Sequence, residues 1–156
     1  MKRRSFLKTV AAAAPVAMVV SPIALSAKEN KPKSPNEMDI KTAIKSVTGG
    51  KGAKDSDKIK LTVPEIAENG AVVPVKINVD HPMEEGNYVK GIHVFATQNA
   101  NVRCADVHLT PMNGRGYFAT RVKLAKSQDV MALVELSDGT FIKAQKPVKV
   151  TIGGCG

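Results

Sequence analysis

Two cysteines are the residues of this chain most capable of covalent chemistry. One of them, Cys155, stands near the C-terminus in the segment Gly153-Gly154-Cys155-Gly156. Glycine has no Cβ and adopts most backbone conformations, so these neighbours give the sulfur little steric cover. Chain ends are also poorly ordered unless other contacts hold them. The pattern predicts that residues 153–156 form a mobile arm, in which Gly153, Gly154 and Gly156 provide the mobility and Cys155 enters pockets of other proteins.

The sequence around Cys155 does not activate its sulfur. The nucleophilic form of cysteine is the thiolate, and an ordinary thiol has a pKa of about 8.5. The C-terminal carboxylate, one residue away, favours a higher pKa. A cysteine protease or thiol oxidoreductase normally supplies its own activating base or helix terminus. A covalent carrier needs neither, because the enzymes that it visits can activate the thiol, so the sequence favours a carrier over an enzyme.

The second cysteine, Cys104, offers Cys155 a partner for a disulfide. Exported chains with an even number of cysteines usually form such bridges. Against this pairing, a cysteine within a sheet seldom lies within the Cα separation of roughly 6 Å that a bridge needs. Two interpretations therefore stay open, a Cys104–Cys155 disulfide and a carrier thiol with Cys104 as a buried spectator.

Copper binding is the alternative function that the sequence offers. Cys104, His108 and Met112 approximate the ligand loop of a type 1 copper site, as in exported electron-transfer proteins. The second histidine of such a site would be His81 or His93. About forty residues follow Met112, however, whereas blue-copper proteins generally end soon after this loop. The copper site is therefore the weaker hypothesis.

The alternation of residues 102–109 predicts a strand instead of a copper loop. Side chains two residues apart lie on one face of a strand, which places Cys104, Asp106 and His108 together, toward solvent or a partner. Zinc binding by these three side chains is a weak alternative, because ligands from a single strand rarely converge on one ion.

Composition narrows the function classes further. The chain has 156 residues and a formal net charge of +9, with no Trp, four Phe and two Tyr. Four basic residues lie in the first eight positions, so 9 − 4 leaves +5 for the remainder. The other lysines are scattered without interleaved aromatic residues, which argues against nucleic-acid binding. We expect one domain with a core of Val, Ile, Leu and Ala.

Residues 1–27 have the features of a signal peptide. Arg3 and Arg4 are followed by Phe6-Leu7-Lys8, then by an apolar stretch over residues 10–25 and the small-x-small cleavage motif Ala24-Leu25-Ser26. The paired arginines resemble a twin-arginine (Tat) signal, which predicts a periplasmic location. An ordinary Sec signal is the alternative, and the short, proline-containing apolar stretch argues against a stable membrane anchor. Tat export carries folded cargo, so either a cofactor or a partner subunit is expected to join before export.

A helix is predicted near the start of the mature chain, after a disordered polar lead-in at residues 28–35. Ser34 and Glu37 form a capping-box pattern, with Pro35 at the first helical position. An apolar stripe of Ile40, Ala43, Ile44 and Val47 follows at helical spacing. Gly49-Gly50 ends the helix.

From residue 59 onward the pattern predicts strands. They are expected at residues 59–63, 71–79, 88–97, 102–110, 116–124, 130–136, 140–146 and 148–152, with residues 64–70 as a connection. Asn113-Gly114 and Asp138-Gly139 are hairpin-type turn dipeptides. Seven or eight short strands with regular turns favour a mainly β, immunoglobulin-like antiparallel sandwich, so residues 36–152 are expected to form one helix and the sandwich.

Several segments together resemble one known family. The C-terminal residues 148–156, the segments 66–75, 120–125 and 136–139, and the twin-arginine leader are similar to those of the SoxY family, the sulfur-carrying subunits of bacterial thiosulfate oxidation. One difference is that the family tail usually has two glycines after the cysteine, whereas only Gly156 follows Cys155 here.

The resemblance implies a non-enzymatic carrier with an immunoglobulin-like domain, paired in a heterodimer with SoxZ, which this chain's Tat signal would export. It implies that SoxAX couples thiosulfate oxidatively to Cys155, that SoxB then releases sulfate, and that SoxCD, where present, oxidises the remaining sulfane sulfur. No bound cofactor or metal is expected, only covalent sulfur adducts on Cys155.

Overall fold

Strand β9 (Phe141–Ile152) joins the elements of the larger of two sheets. The computed structural model describes residues 37–154. The predicted leader, the predicted lead-in, Cys155 and Gly156 therefore lie outside the described residues. Within residues 37–154 no helix is long and apolar enough to cross a membrane.

Nine strands, one α-helix and one 3-10 helix make up the described part of the chain. The helices are α1 (Ile40–Thr48) and the 3-10 turn Pro111–Asn113. The strands are β1 (Lys54–Asp55), β2 (Ile59–Thr62), β3 (Ile66–Asn69), β4 (Val73–Val79), β5 (Val89–Ala96), β6 (Arg103–His108), β7 (Gly116–Val122), β8 (Gln128–Leu136) and β9. They form a sheet in the order β1-β9-β8-β5-β6, with β3 also paired to β9, and a second sheet in the order β2-β4-β7.

The main core lies between these two sheets. In β4, Val73, Val75 and Ile77 point inward and are fully buried, while Pro74 and Lys76 point outward. Inward side chains of β5 and β8, such as Val94 and Ala132, pack against the same cluster. Period-2 alternation on the two facing sheets thus produces the sandwich that the sequence predicts.

A second, smaller core lies on the opposite face of the larger sheet. Helix α1 packs its apolar stripe there against Phe95, Met131, Leu133 and Phe141. These side chains alternate along β5 and β8 with those of the main core, so both faces of the two strands are apolar. The predicted stripe of α1 is confirmed as a core-packing surface.

The start of α1 differs from the prediction. Asp39 caps the helix, and its carboxylate accepts hydrogen bonds from the backbone N–H groups of Lys41 (2.9 Å) and Thr42 (3.0 Å). Glu37 precedes the helix, and Ser34 and Pro35 lie outside the described residues. The end is as predicted, with Gly49 in the left-handed conformation at φ 61°.

Two strand predictions were wrong. Residues 64–70, predicted as a connection, contain β3, which pairs parallel with the end of β9. The predicted break between residues 146 and 148 is absent, because Pro147 remains part of β9. On the side away from β8, β9 pairs with β1 only at Ile142 and Lys143, and with β3 only from Lys149. Pro147 therefore lies at an edge-like position, where a missing N–H is tolerated.

The structure confirms only one of the two predicted hairpin turns. Asp138-Gly139 joins β8 to β9 as an antiparallel hairpin, with Gly139 at φ 80°. Asn113-Gly114 instead ends the 3-10 turn that leads from β6 in one sheet to β7 in the other. A hairpin at Asn113-Gly114 was therefore a wrong prediction, although Gly114 does adopt the left-handed conformation at φ 68°.

Candidate functional site

The residues that precede Cys155 are tied to two loops. We call Gly70, Leu124, Ala125, Gly153 and Gly154 the tail base. Ile152 accepts a backbone hydrogen bond from Gly70 (2.7 Å), and Gly154 donates one to the carbonyl of Leu124 (2.8 Å). Leu124 in turn donates its N–H to Gly70 (2.7 Å), which links the two loops to each other. The end of β9 is therefore anchored as far as Gly154.

Glycine is required at the tail base because backbones approach closely. A Cβ on Gly70 would overlap the carbonyl oxygen of Leu124, and one on Gly153 would overlap that of Ala125. A Cβ on Gly154 would lie 2.6 Å from the backbone nitrogen of Ala71. The three glycines thus have a steric role in the described geometry. The assignment of Gly153, Gly154 and Gly156 to arm mobility stays a prediction.

A buried polar network holds the loop that receives Gly154. Asn99 and Gln128 are both buried, and the Gln128 amide donates to Asn99 Oδ1 (2.7 Å). The Asn99 amide donates to the carbonyl of Lys123 (2.7 Å), and Asn99 Oδ1 also accepts the N–H of Ala125 (3.1 Å). These bonds fix the backbone on both sides of Leu124, so the network positions the acceptor for Gly154.

Sequence reasoning did not identify Gly70, Leu124, Asn99 or Gln128 as parts of the site. The available signals were the Asn69-Gly70 turn dipeptide and the resemblance of residues 66–75 and 120–125 to a known family. Neither pattern shows that two loops distant in sequence meet the chain end. The parallel pairing of Asn69 with Ile152 brings the residues after β3, including Gly70, next to the end of β9.

Cys104 lies in a β-bulge of strand β6. Val94 of β5 pairs with Ala105, whereas the next residue, Phe95, pairs with Arg103, which leaves Cys104 without a cross-strand partner. The bulge turns Cys104 toward the main core, against which it packs. Burial raises the pKa of its thiol to about 11.

The predicted common face of Cys104, Asp106 and His108 is therefore wrong for Cys104. Asp106 and His108 are exposed on the other face of β6, while Ala105 and Val107 pack against the core as expected. The period-2 pattern fails at the bulge because one extra residue reverses the side on which the side chains point. Cys104 is a free thiol among the described residues.

The copper ligand set is not assembled in the described residues. The Cys104 side chain and His108 lie on opposite faces of β6, and Met112 is 96% exposed on the 3-10 turn. No group of three or more His, Cys, Asp or Glu side chains within residues 37–154 is arranged to hold a metal ion. The zinc alternative fails for the same reason, since Cys104 faces away from Asp106 and His108.

Comparison with known proteins identifies the family. A family model described as "Sulfur oxidation protein SoxY" matches residues 44–155, which is more than half of the chain and includes Cys155. The chain belongs to the SoxY family. Among solved structures, the sulfur carrier protein SoxY from Chlorobium limicola f thiosulfatophilum is 30% identical, with a TM-score of 0.62 over 73% of this chain and 97% of that chain.

Superoxide reductases share the fold of this SoxY-family chain. The superoxide reductase (neelaredoxin) from Ignicoccus hospitalis is 21% identical with a TM-score of 0.53, over 60% of this chain and 80% of that chain. A putative superoxide reductase from Thermotoga maritima is 19% identical with a TM-score of 0.51, over 63% and 93%. These identities show a common fold alone. A comparison with curated proteins gave no match.

Membership of the SoxY family makes this chain a sulfur carrier of sulfur oxidation. In the described geometry, the C-terminal segment has a fixed base and lies at the surface of the protein. Ile152 is 68% exposed, Gly153 is exposed and Gly154 is half-buried, so the chain reaches the surface immediately before Cys155.

Proposed function

We propose that this chain carries sulfur intermediates of thiosulfate oxidation as covalent adducts of Cys155. The observation that carries the proposal is the contrast between its two cysteines. Cys104 packs against the main core, and burial raises the pKa of its thiol to about 11, so it is poorly suited to nucleophilic attack. Cys155 directly follows the anchored Gly154 and falls within the matched family range.

The loading step forms one sulfur–sulfur bond. The Cys155 thiol loses its proton, its sulfur bonds to the outer sulfur of thiosulfate, and two electrons pass to an external acceptor. The product is a cysteine S-thiosulfonate that retains one negative charge. Hydrolysis of the bond between the sulfane sulfur and the sulfonate group then consumes water, releases sulfate and protons, and leaves a persulfide on Cys155.

Partner enzymes supply the activation that the chain lacks. By family analogy SoxAX accepts the electrons of loading, SoxB catalyses the hydrolysis and SoxCD, where present, oxidises the persulfide sulfur. SoxZ is the proposed stable partner in a heterodimer. The twin-arginine pattern of residues 1–27 supports export of the pair to the periplasm by the Tat route.

The test compares two single substitutions in the exported protein. Cys155→Ser is expected to abolish thiosulfate-dependent turnover in the reconstituted system while leaving the fold and SoxZ binding intact. The matched variant Cys104→Ser is expected to retain turnover. Peptide mass spectrometry before and after reduction should find reducible sulfur adducts on Cys155 alone. Turnover by Cys155→Ser, or a Cys104–Cys155 disulfide in every molecule, would contradict the proposal.

A further inference from the structure

Basic side chains cross the outer face of the smaller sheet, which is the face turned away from the main core. Lys60 of β2, Lys76 of β4 and Arg121 of β7 are all exposed there. Thr62 and Ala119 pair directly with Lys76, and the other two basic residues lie two positions farther along their strands. Such diagonal neighbours are within reach of long side chains, so the three residues form one diagonal line across the sheet. We call them the basic row.

The basic row has no acidic partner in the described part of the chain. None of its three residues forms an ion pair within residues 37–154. The other outward positions of β2, β4 and β7 hold Thr, Pro, Asn, Tyr and Ala, without Asp or Glu. Asp80 follows β4 beyond the end of the row that Lys60 occupies. The outer face of these three strands is therefore positive throughout.

The larger sheet, in contrast, pairs basic residues with acidic ones. Lys90 of β5 lies 2.7 Å from Glu135 of the neighbouring β8, and Lys143 of β9 lies 3.7 Å from Asp55 of β1. Opposite charges on adjacent strands stabilise a sheet, and the basic row lacks this stabilisation. Stability of the fold therefore does not explain the row, whereas a partner with the opposite charge would explain it.

Aromatic and apolar side chains lie beside the basic row. Tyr117 is 43% exposed on the same face, and the guanidinium carbon of Arg115 lies 5.6 Å from the centroid of its ring. Pro74, which pairs with Arg121, is also exposed. Tyrosine and arginine are enriched in protein–protein interfaces. This mixture favours a protein surface as the partner.

Strand β7 leads from the basic row to the tail base. Arg121 precedes Leu124 by three residues, and the carbonyl of Leu124 accepts the hydrogen bond from Gly154. Three residues of extended chain span roughly 10 Å. A protein interface of standard size covers about 800 Å² of each partner, which is wide enough to include both positions. A protein bound to the basic row would thus lie next to Cys155.

We propose that the basic row docks an acidic surface patch of a partner enzyme that acts on Cys155. This inference rests on the proposed carrier function, and it adds the charge and the location of the docking contact. Attraction between complementary charges accelerates the encounter of two proteins and orients them. Contacts made by exposed charges mainly affect the association rate, which suits a carrier that must leave each enzyme after its step.

The experiment measures kcat/KM for the carrier in the reconstituted thiosulfate-oxidising system at several NaCl concentrations. Salt screens exposed charges, so an increase from about 25 to about 300 mM should lower kcat/KM of the wild type about tenfold while kcat at saturation stays constant. Lys76→Glu/Arg121→Glu should lower kcat/KM about tenfold at low salt and remove its decrease with salt. Lys76→Gln/Arg121→Gln should have an intermediate effect, because it removes the charges without reversing them.

The matched control is Lys41→Glu/Lys45→Glu on α1, which lies on the other side of the larger sheet and changes the net charge equally. All four side chains are exposed, and chemical denaturation verifies that both double variants fold. The control should keep kcat/KM within about twofold of the wild type. Equal effects of the two charge reversals, or a kcat/KM independent of salt, would overturn the docking proposal.

A membrane is the other anionic surface that a basic face could bind. Sedimentation with phosphatidylglycerol vesicles measures such binding directly. If Lys76→Glu/Arg121→Glu lost vesicle binding but kept the kcat/KM of the wild type, the basic row would be a membrane contact and the docking proposal would be wrong. Failure of the carrier function is detected separately, as turnover by Cys155→Ser at any salt concentration.

Discussion

Gly154 donates its backbone N–H to the carbonyl of Leu124 at 2.8 Å, one residue before the cysteine that is proposed to carry sulfur. An arm that began after Ile152 would extend the thiol roughly 10 Å from the body, at about 3.4 Å per extended residue. Because Gly154 is anchored, Cys155 is the first residue beyond the fixed part of the chain. A partner must therefore approach the tail base closely, unless this hydrogen bond opens.

Substitution of Gly70 should loosen the tail base. In Gly70→Ala the new Cβ would overlap the carbonyl oxygen of Leu124. We expect a loss of about 1–3 kcal/mol in the free energy of unfolding, as for other overpacked sites. Chemical denaturation measures that loss, and hydrogen exchange of the Gly154 amide should accelerate. The control is Val72→Ala, because Val72 is 54% exposed. Equal stability of the two variants would contradict the steric role of Gly70.

Disruption of the buried network of Asn99 and Gln128 should also destabilise the tail base. Asn99→Ala leaves the Lys123 carbonyl and the Ala125 N–H without their partner. Unsatisfied buried groups cost about 1–3 kcal/mol of stability. Faster exchange of the Gly154 amide should accompany the loss, since the loop then no longer fixes Leu124. Gln98→Ala, which removes an exposed side chain next in sequence, is the control. If exchange at Gly154 were unchanged, the network would not position the tail.

The two cysteines should differ strongly in alkylation. Since burial raises the pKa of Cys104 to about 11, its iodoacetamide reaction should be slow near neutral pH and continue to accelerate up to about pH 11. In Cys155→Ser, the remaining thiol should become reactive at pH 8 only after unfolding in guanidinium. Mass spectrometry of quenched samples measures both rates. Rapid labelling of folded Cys155→Ser at pH 8 would show that Cys104 is accessible.

The cap of α1 should give the fold a specific acid sensitivity. Hydrogen bonds from the Thr42 side chain and then its backbone hold the pKa of Asp39 below its usual range. The folded state therefore favours the carboxylate, and this contribution is fully present above the ordinary aspartate pKa of about 3.9. It disappears as pH falls from there through the lower folded pKa.

Asp39→Asn tests this contribution, because asparagine also caps helices but does not titrate. Wild type should be more stable than the variant at neutral pH, and the difference should shrink as the pH falls below about 4. Chemical denaturation at several pH values measures it. A difference that is independent of pH would exclude Asp39 as the source.

The sequence by itself determined the class of the fold, the apolar face and the end of the helix, and the family. Alternation in β4 and the stripe from Ile40 to Val47 are local patterns that reflect burial directly, so they predict faces without knowledge of the partners. Cys155 was recognised from its neighbours and from family resemblance alone. These features depend on residues close together in the chain.

Only the tertiary structure decided which distant backbones meet. Parallel pairing of β3 with β9 has no local sequence signal, and it brings Gly70 to the chain end. The bulge at Cys104 also could not be predicted from the sequence, because one extra residue changes the face of a side chain without changing the apolar pattern.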